Sequence, residues 1–231
     1  MMRIHKVLVI AAHPDDEILG CGGTLARLRA AGSSACILLL GEGPTARKPD
    51  NASNFPTTVQ QKAASSALAA AAALGLNDVR FAGLPDNRFD TLPLLDIVKI
   101  VEAVKSEVQP DLVLTHHAGD LNIDHAITHR ATMTAFRPLP GEKELAVLSF
   151  EVSSSTEYTP PALATTFHPT IYVDIARYLP AKQRALAAYA SEMRPWPHPR
   201  SHEAVEYLAR LRGSQCGTEA AEAFVLCRGV F

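Results

Sequence analysis

Cysteine is scarce in this chain. There are four in 231 residues (Cys21, Cys36, Cys216 and Cys227), and no two form a C-x-x-C pair. That excludes a disulfide framework, fits a reducing cytoplasmic setting, and leaves Cys21 and Cys36 to read as small buried residues. No apolar run approaches the roughly 20 residues a membrane helix needs. Ala63–Leu74 is Ala-rich and short and reads as a helix of a soluble protein, and no signal-peptide cleavage pattern follows Met1–His5. Stable membrane insertion is therefore not expected. A run of basic charge is also missing. The 22 Lys and Arg are offset by 24 Asp and Glu, for a net charge of -2, so nucleic acid is not expected as a partner. There is no G-x-G-x-x-G phosphate fingerprint. Gly20-Cys21-Gly22-Gly23 lacks that order and reads instead as glycines that let a helix approach a sheet closely. No internal repeat or low-complexity linker divides the chain, so residues 1–231 read as one domain.

What is present is a hydrophobic fraction of 47%, enough for a substantial core and permissive of a homo-oligomer. Lys6–Ala12 (KVLVIAA) is apolar without alternation, the pattern of a strand buried on both faces. Expected strands follow at Ala35–Leu40, Val79–Ala82 and Asp111–Thr115. Between and after them come expected helices at Glu17–Ala31 (closed by Gly32), Val59–Leu74 (closed by Gly75), Leu92–Val108 (followed by Pro110) and Ala126–Phe136. Such alternation predicts an α/β fold, a Rossmann-like doubly wound, mostly parallel sheet with right-handed crossovers. The C-terminal part is less regular. Its expected strands are Leu145–Val152, Thr170–Ile175 and Ala223–Cys227, and its expected helices are Ala181–Met193 and His202–Arg212. Ser153–Pro169 reads as a loop. Gly41–Pro56 is long for a connection and reads as a mobile loop beside the active site.

Two polar clusters follow directly after strands, where doubly wound sheets bind ligands. The first is Ala12-His13-Pro14-Asp15-Asp16-Glu17. His and Asp are ordinary zinc ligands, and Pro14 restrains the turn that carries them. The competing reading gives the three carboxylates to the positive end of a helix dipole, which leaves the preceding His unexplained. The second cluster is His116-His117-Ala118-Gly119-Asp120-Leu121-Asn122-Ile123-Asp124-His125. If the first and fourth strands are neighbours, His13 and Asp16 from one loop and His125 from the other can share a metal. Three protein ligands leave a position open for water, as in catalytic zinc sites. His129 shares a helix face with His125, but no metalloprotease-type Glu lies between them, and it reads as an ordinary helix residue. His116 and His117 read equally as residues lining the site or as capped surface imidazoles.

The H-P-D-D-E sequence after the first strand, with Asp124-His125 at the start of a later helix, resembles the LmbE/PIG-L family of N-acetyl-sugar deacetylases. Weaker similarity runs on into Ala221-Glu222-Ala223-Phe224. The resemblance implies zinc bound by His13, Asp16 and His125, Asp15 as general base, and Asp124 as a carboxylate beside the site. It implies an acetylated amino sugar, free or conjugated, as substrate. One position departs from the family pattern. A His commonly stands three residues before the metal-binding His and stabilises the oxyanion or protonates the amine; here that position is Asn122. Asn can donate a hydrogen bond but cannot act as an acid, so either Asp15 returns the proton or His117 supplies it from another backbone position.

Two further segments are candidates for substrate contact. Asp86-Asn87-Arg88 follows the third strand and can hydrogen-bond sugar hydroxyls or pair with an anion, or can simply form a polar turn. Arg194–Arg200 holds the only Trp; Trp196, His198 and Arg200 can face a sugar or a phosphate, against the alternative of a Pro-stiffened surface loop. Two other functions compete. A non-haem iron oxygenase can use two His and one carboxylate, but its usual setting is a β-rich barrel. A dinucleotide-binding module would need the missing glycine fingerprint.

Overall fold

In the computed structural model, which describes residues 4–44 and 57–230, a single sheet contains β1 (Lys6–Ala11), β2 (Ser34–Gly41), β3 (Asp78–Leu84), β4 (Leu112–His116), β5 (Ala146–Phe150), β6 (Ile171–Asp174) and β7 (Ala221–Arg228). The spatial order is β3-β2-β1-β4-β5-β7-β6. The first five strands are parallel, while β7 runs antiparallel to both β5 and β6. The helices are α1 (Asp16–Ala30), α2 (Thr57–Ala73), α3 (Leu94–Val108), α4 (Ile123–Ala135), α5 (Leu179–Ala187) and α6 (His202–Cys216). The expected doubly wound, mostly parallel sheet is what the chain forms, and its less regular C-terminal part supplies the two antiparallel pairings. None of the helices in the described residues is long and apolar enough to cross a membrane.

The unbroken apolar run of β1 has a simple cause. Alternate residues point to opposite faces, and both faces are covered. Val7, Val9 and Ala11 enter a core with Leu25 of α1, Ala70 of α2 and Leu186 of α5. Leu8 and Ile10 enter the opposite core with Val101 of α3 and Ala131 of α4. The sheet order reverses between β1 and β4, which pair directly, Val9 opposite Leu114. This is the switch point where a crevice opens at the carboxyl ends of the strands.

Helix α1 lies very close to the sheet. A Cβ on Gly20 would fall 2.2 Å from the Phe150 ring, and one on Gly23 would fall 2.7 Å from Ile175. Close packing is thus the role of these glycines, as the sequence suggested. The helix is kinked at Cys21 (φ −145°, ψ 17°). The freed N–H groups of Gly23 and Thr24 donate to the carboxylate of Glu222 on β7 at 2.9 and 2.6 Å. Lys182 of α5 completes the arrangement, with Nζ 2.7 Å from both Glu222 and the Leu19 carbonyl.

Element boundaries differ most from expectation at the C-terminal ends of two helices. α5 ends at Ala187, short of Met193: tight bonds from Tyr189 N–H to Leu186 and from Glu192 N–H to Tyr189 turn the chain away. α6 continues past Arg212 to Cys216, where Gly217 takes the left-handed conformation (φ 80°). Gly213 stays inside α6 because the returning backbone at Thr218–Ala220 leaves no room for a Cβ there. The segment expected to be a mobile loop, Gly41–Pro56, lies outside the described residues from position 45 onward.

Candidate active site

The turn after β1 is fixed by the strands beside it. Ala12 donates its N–H to His116 Nε2 at 2.8 Å, and its carbonyl accepts from Gly41 at 2.7 Å. His13 follows, and its own N–H donates to Asp16 Oδ2 at 2.8 Å. Asp15 sits at φ 116°, ψ −30°, a region that costs a non-glycine residue about 1–3 kcal/mol. Its N–H donates to Glu17 Oε2 at 3.0 Å, and the Tyr189 hydroxyl donates to Glu17 Oε1 at 2.5 Å. Arg200 Nη1 reaches Asp15 Oδ2 at 2.6 Å, while Arg200 Nε donates to Ser154 Oγ at 2.7 Å.

The β4 side is equally ordered. Strand β4 extends one residue beyond its expected end, so His116 belongs to it and is fully buried. Asn122 caps α4, its side-chain oxygen accepting from Asp124 N–H at 2.9 Å and its Nδ2 donating to Asn87 Oδ1 at 3.1 Å. Asp124 accepts from Asn87 N–H at 2.7 Å and Phe89 N–H at 2.9 Å, tying the loop after β3 to α4. The loop after β3 thereby brings Asp86 within 3.2 Å of His13 Nε2.

Around Asp16 these pieces converge. One donor atom each from His13, Asp16 and His125 lie within 4.8 Å of one another. His13 Nδ1 is 3.4 Å and His125 Nε2 is 3.2 Å from Asp16 Oδ2. Asp16 Oδ1 and both ring nitrogens of His125 are buried without a well-aligned hydrogen bond, which is costly for polar groups unless something else satisfies them. The far side of each imidazole faces a carboxylate: Asp124 Oδ2 lies 3.0 Å from His13 Nε2, and Asp120 Oδ1 lies 3.1 Å from His125 Nδ1. Metal-binding imidazoles are oriented in this way, so the donor set fits a cation. His13, Asp86 and Asp124 form a second cluster of three. Asp124 there already accepts two backbone N–H groups, which suits it to orienting His13.

The electrostatics follow from burial and opposing charge. Burial opposes a proton on His13, yet hydrogen bonds to Asp124 and Asp16 outweigh it and raise its pKa to about 10. Burial acts likewise on His125, and Asp16 and Asp120 bring it to about 9. Asp16 is held well below the usual carboxylate range, the charge of His125 and hydrogen bonds from His125 and His13 overcoming burial. Burial drives Asp15 the other way, well above that range, with Arg200 only partly offsetting it. A buried carboxyl with a raised pKa is suited to taking and returning a proton.

Asp15, Asp86, Asn87, Asn122 and Arg200 line, with His13, a cleft of about 90 Å³. Larger hollows exist, including one of about 500 Å³ at the amino ends of the strands. That hollow lies away from the metal-ligand cluster, and two of its cations, Arg29 and Arg80, are engaged by a carbonyl and by carboxylates. The other expected site residues sit apart. Arg88 is exposed beside Asn87. Trp196 is 56% exposed and packs edge-on against Tyr207, and His198 accepts from Arg200 N–H. His117 turns to Thr165, its Nε2 2.9 Å from that carbonyl, with its ring against Phe167.

Three residues of this site, Asp120, Glu17 and Tyr189, had no role in the sequence reading, and a fourth, His116, stood open there between lining the site and a surface position. His116 stacks on His125 at 4.0 Å, and burial with the neighbouring His125 charge lowers its pKa well below normal. Asp120 faces His125 Nδ1 at 3.1 Å; Glu17 and, through it, Tyr189 hold Asp15. For His116 a signal existed: the parity of β4, in which His116 shares its face with Leu112 and Leu114. Tyr189 joins Glu17 across 172 positions, and no local pattern announces it.

Comparison with known proteins bears on this geometry. Residues 8–136 match the model of the PIG-L family, described as GlcNAc-PI de-N-acetylase. The probable N-acetyl-α-D-glucosaminyl L-malate deacetylase 2 of Bacillus cereus is 26% identical over 190 residues, covering 80% of this chain and 83% of the relative. The solved N,N'-diacetylchitobiose deacetylase of Pyrococcus horikoshii superposes with a TM-score of 0.77 at 20% identity, over 96% of this chain and 84% of that one. The 4-carboxy-2-hydroxymuconate hydratase of Pseudomonas putida superposes equally well, TM-score 0.78 at 23% identity over 98% of both chains. These two likenesses establish the fold, which thus hosts more than one reaction. Nothing supports the oxygenase or the dinucleotide module. The sheet is not a β-rich barrel, and the turn that would cradle a pyrophosphate carries three buried carboxylates, Asp15, Asp16 and Glu17. With more than half of its length matched, and with H-P-D-D-E and Asp124-His125 facing each other across the switch point, the chain belongs to the PIG-L (LmbE-like) family of deacetylases.

Proposed function

We propose that this protein hydrolyses the amide of an N-acetylated amino sugar or its conjugate, releasing acetate and a free amine, with zinc held by His13, Asp16 and His125. The observation that carries this reading is the convergence of those three donors, with Asp16 Oδ1 and His125 Nε2 buried without a well-aligned hydrogen bond. Zinc, when bound, polarises a carbonyl and brings the pKa of a water down to about 7. Asp15 accepts the proton of the attacking water, and its raised pKa then lets it pass that proton to the leaving nitrogen. Asn122 uses one N–H on Asn87 and has a second to offer to a developing oxyanion in the cleft. His117, engaged by Thr165 and Phe167, is not needed as an acid. Asp86 and Asn87, the latter bonded to Asn122, offer carboxylate and amide groups to sugar hydroxyls in the same cleft.

The test is a panel of N-acetylated amino sugars and their conjugates, assayed for free amine and acetate together, with metal content measured on the same preparation. Equimolar acetate and amine, lost on chelation and restored by zinc, is the expected result. Turnover of an unsaturated acid by addition of water, with no amide cleaved, would transfer the chain to the hydratase chemistry that the same fold also supports.

A further inference from the structure

We propose that Arg200 and Tyr189 are positioning residues for the base Asp15, so that the connector between α5 and α6 completes a site whose proposed base and metal ligands come from the first 136 residues. This rests on the assignment of Asp15 as base in the reaction proposed above. Both residues lie outside the family match at 8–136. The geometry points to them through the backbone of Asp15. At φ 116° this residue does not hold its conformation unaided. Two restraints meet on it. Its N–H is fixed by Glu17 Oε2, and the other oxygen of Glu17 is fixed by the buried Tyr189 hydroxyl at 2.5 Å. Its carboxylate is fixed at Oδ2 by Arg200 Nη1 at 2.6 Å.

Arg200 is itself aimed. Its Nε donates to Ser154 Oγ at 2.7 Å, and its backbone N–H donates to His198 Nδ1 at 3.0 Å. Tyr189 stands in the short turn after α5, which the tight bonds at Ala188–Glu192 hold, and its hydroxyl meets Glu17. Arg200 takes one oxygen of the carboxylate and leaves Oδ1 to meet a proton in the cleft. This differs from the substrate contact expected of Arg200 from its sequence context, and the two roles separate in kinetics.

Arg200→Gln, Arg200→Lys and Tyr189→Phe should each bind zinc as wild type does. Arg200→Gln should lower kcat about 10- to 100-fold with KM within about twofold, the signature of a misplaced group and not of lost binding. Arg200→Lys should recover part of that loss by keeping the charge without the planar fork. In an Asp15→Asn background Arg200→Gln should cost nothing further, since the residue it positions is already disabled. A substrate-independent readout accompanies these. Hydrogen exchange of the peptide spanning His13–Leu19 should speed up in Arg200→Gln and Tyr189→Phe, with the peptides of β1 and β4 unchanged. A raised KM with unchanged kcat would make Arg200 a substrate contact, and additive losses or unaltered exchange would likewise overturn the proposal. If wild-type protein cleaves no amide on the panel, the reaction is misassigned, and the exchange result alone decides whether the clamp exists.

Discussion

Replacing Asp120 by Asn isolates one contact behind the proposed metal site. Asp120 Oδ1 lies 3.1 Å from His125 Nδ1 and accepts from Asn122 N–H at 2.9 Å and from the Ser155 hydroxyl, while Oδ2 accepts from Thr156 at 2.5 Å. An Asn side chain keeps a carbonyl oxygen for Asn122 and Ser155, and its amide can donate to Thr156, whose hydroxyl turns to accept. What disappears is the negative charge facing the imidazole. Loss of such an orienting partner typically costs about 10- to 100-fold in metal affinity, or roughly 1.4–2.8 kcal/mol at about 1.4 kcal/mol per decade. The fold should lose only about 1 kcal/mol, for a Tm lower by roughly 2–4 °C. Zinc-stripped wild type and Asp120→Asn, titrated with zinc against a chromophoric chelator, measure the first quantity, and thermal melts measure the second. His125→Ala, which removes the ligand itself, sets the lower limit. Zinc affinity equal to wild type in Asp120→Asn, together with a large fall in Tm, would refute the reasoning: Asp120 would then be a structural acceptor for its loop and not an orienting partner of His125.

Further outcomes follow from the structure. With His13 raised to about 10 and His125 to about 9, both imidazoles carry a proton at pH 7.5, so zinc should release about two protons per ion in weakly buffered solution. In the stripped protein, the stability from these pairs is fully present below the unfolded value near 6.5 and is lost as pH rises through about 9 to 10; melts across pH 6–11 with chelator check this. Asp15→Asn should retain zinc and lose roughly 10²–10⁴-fold in kcat, whereas His117→Gln should keep near-normal rate and pH profile, and loss of the alkaline limb there would identify His117 as the acid. Glu222→Ala strands the buried Lys182 ammonium and two N–H groups of α1, which should cost about 3–5 kcal/mol and lower Tm by on the order of 10 °C, seen by calorimetry.

How far the sequence carries depends on the range of the interaction that fixes each residue. The doubly buried strand β1 is legible because burial on both faces leaves a pattern within six residues. The cluster of His13, Asp16 and His125 is legible because His13 and Asp16 follow the end of β1 and His125 stands in the first turn of the helix that follows β4, and a parallel sheet with β1 beside β4 brings those segments together. The choice between His116 and His117 turned on a single residue of strand length. Once β4 includes His116, paired with Phe150 of β5, its ring points inward onto His125, and His117 is released towards Thr165. A one-residue change in a period-two element reverses the face of everything after it, which is why strand ends carry more functional uncertainty than strand centres. The contacts of Arg200 and Tyr189 had no such handle. They join positions 185 and 172 residues apart, and the residues between them fold into helices and strands whose packing no local spacing encodes. Yet the strain at Asp15 implies them. A buried carboxylate held at a positive φ, flanked by Asp16 and Glu17, is steadied by Arg200 and, through Glu17, by Tyr189, and both of these residues come after the family match ends.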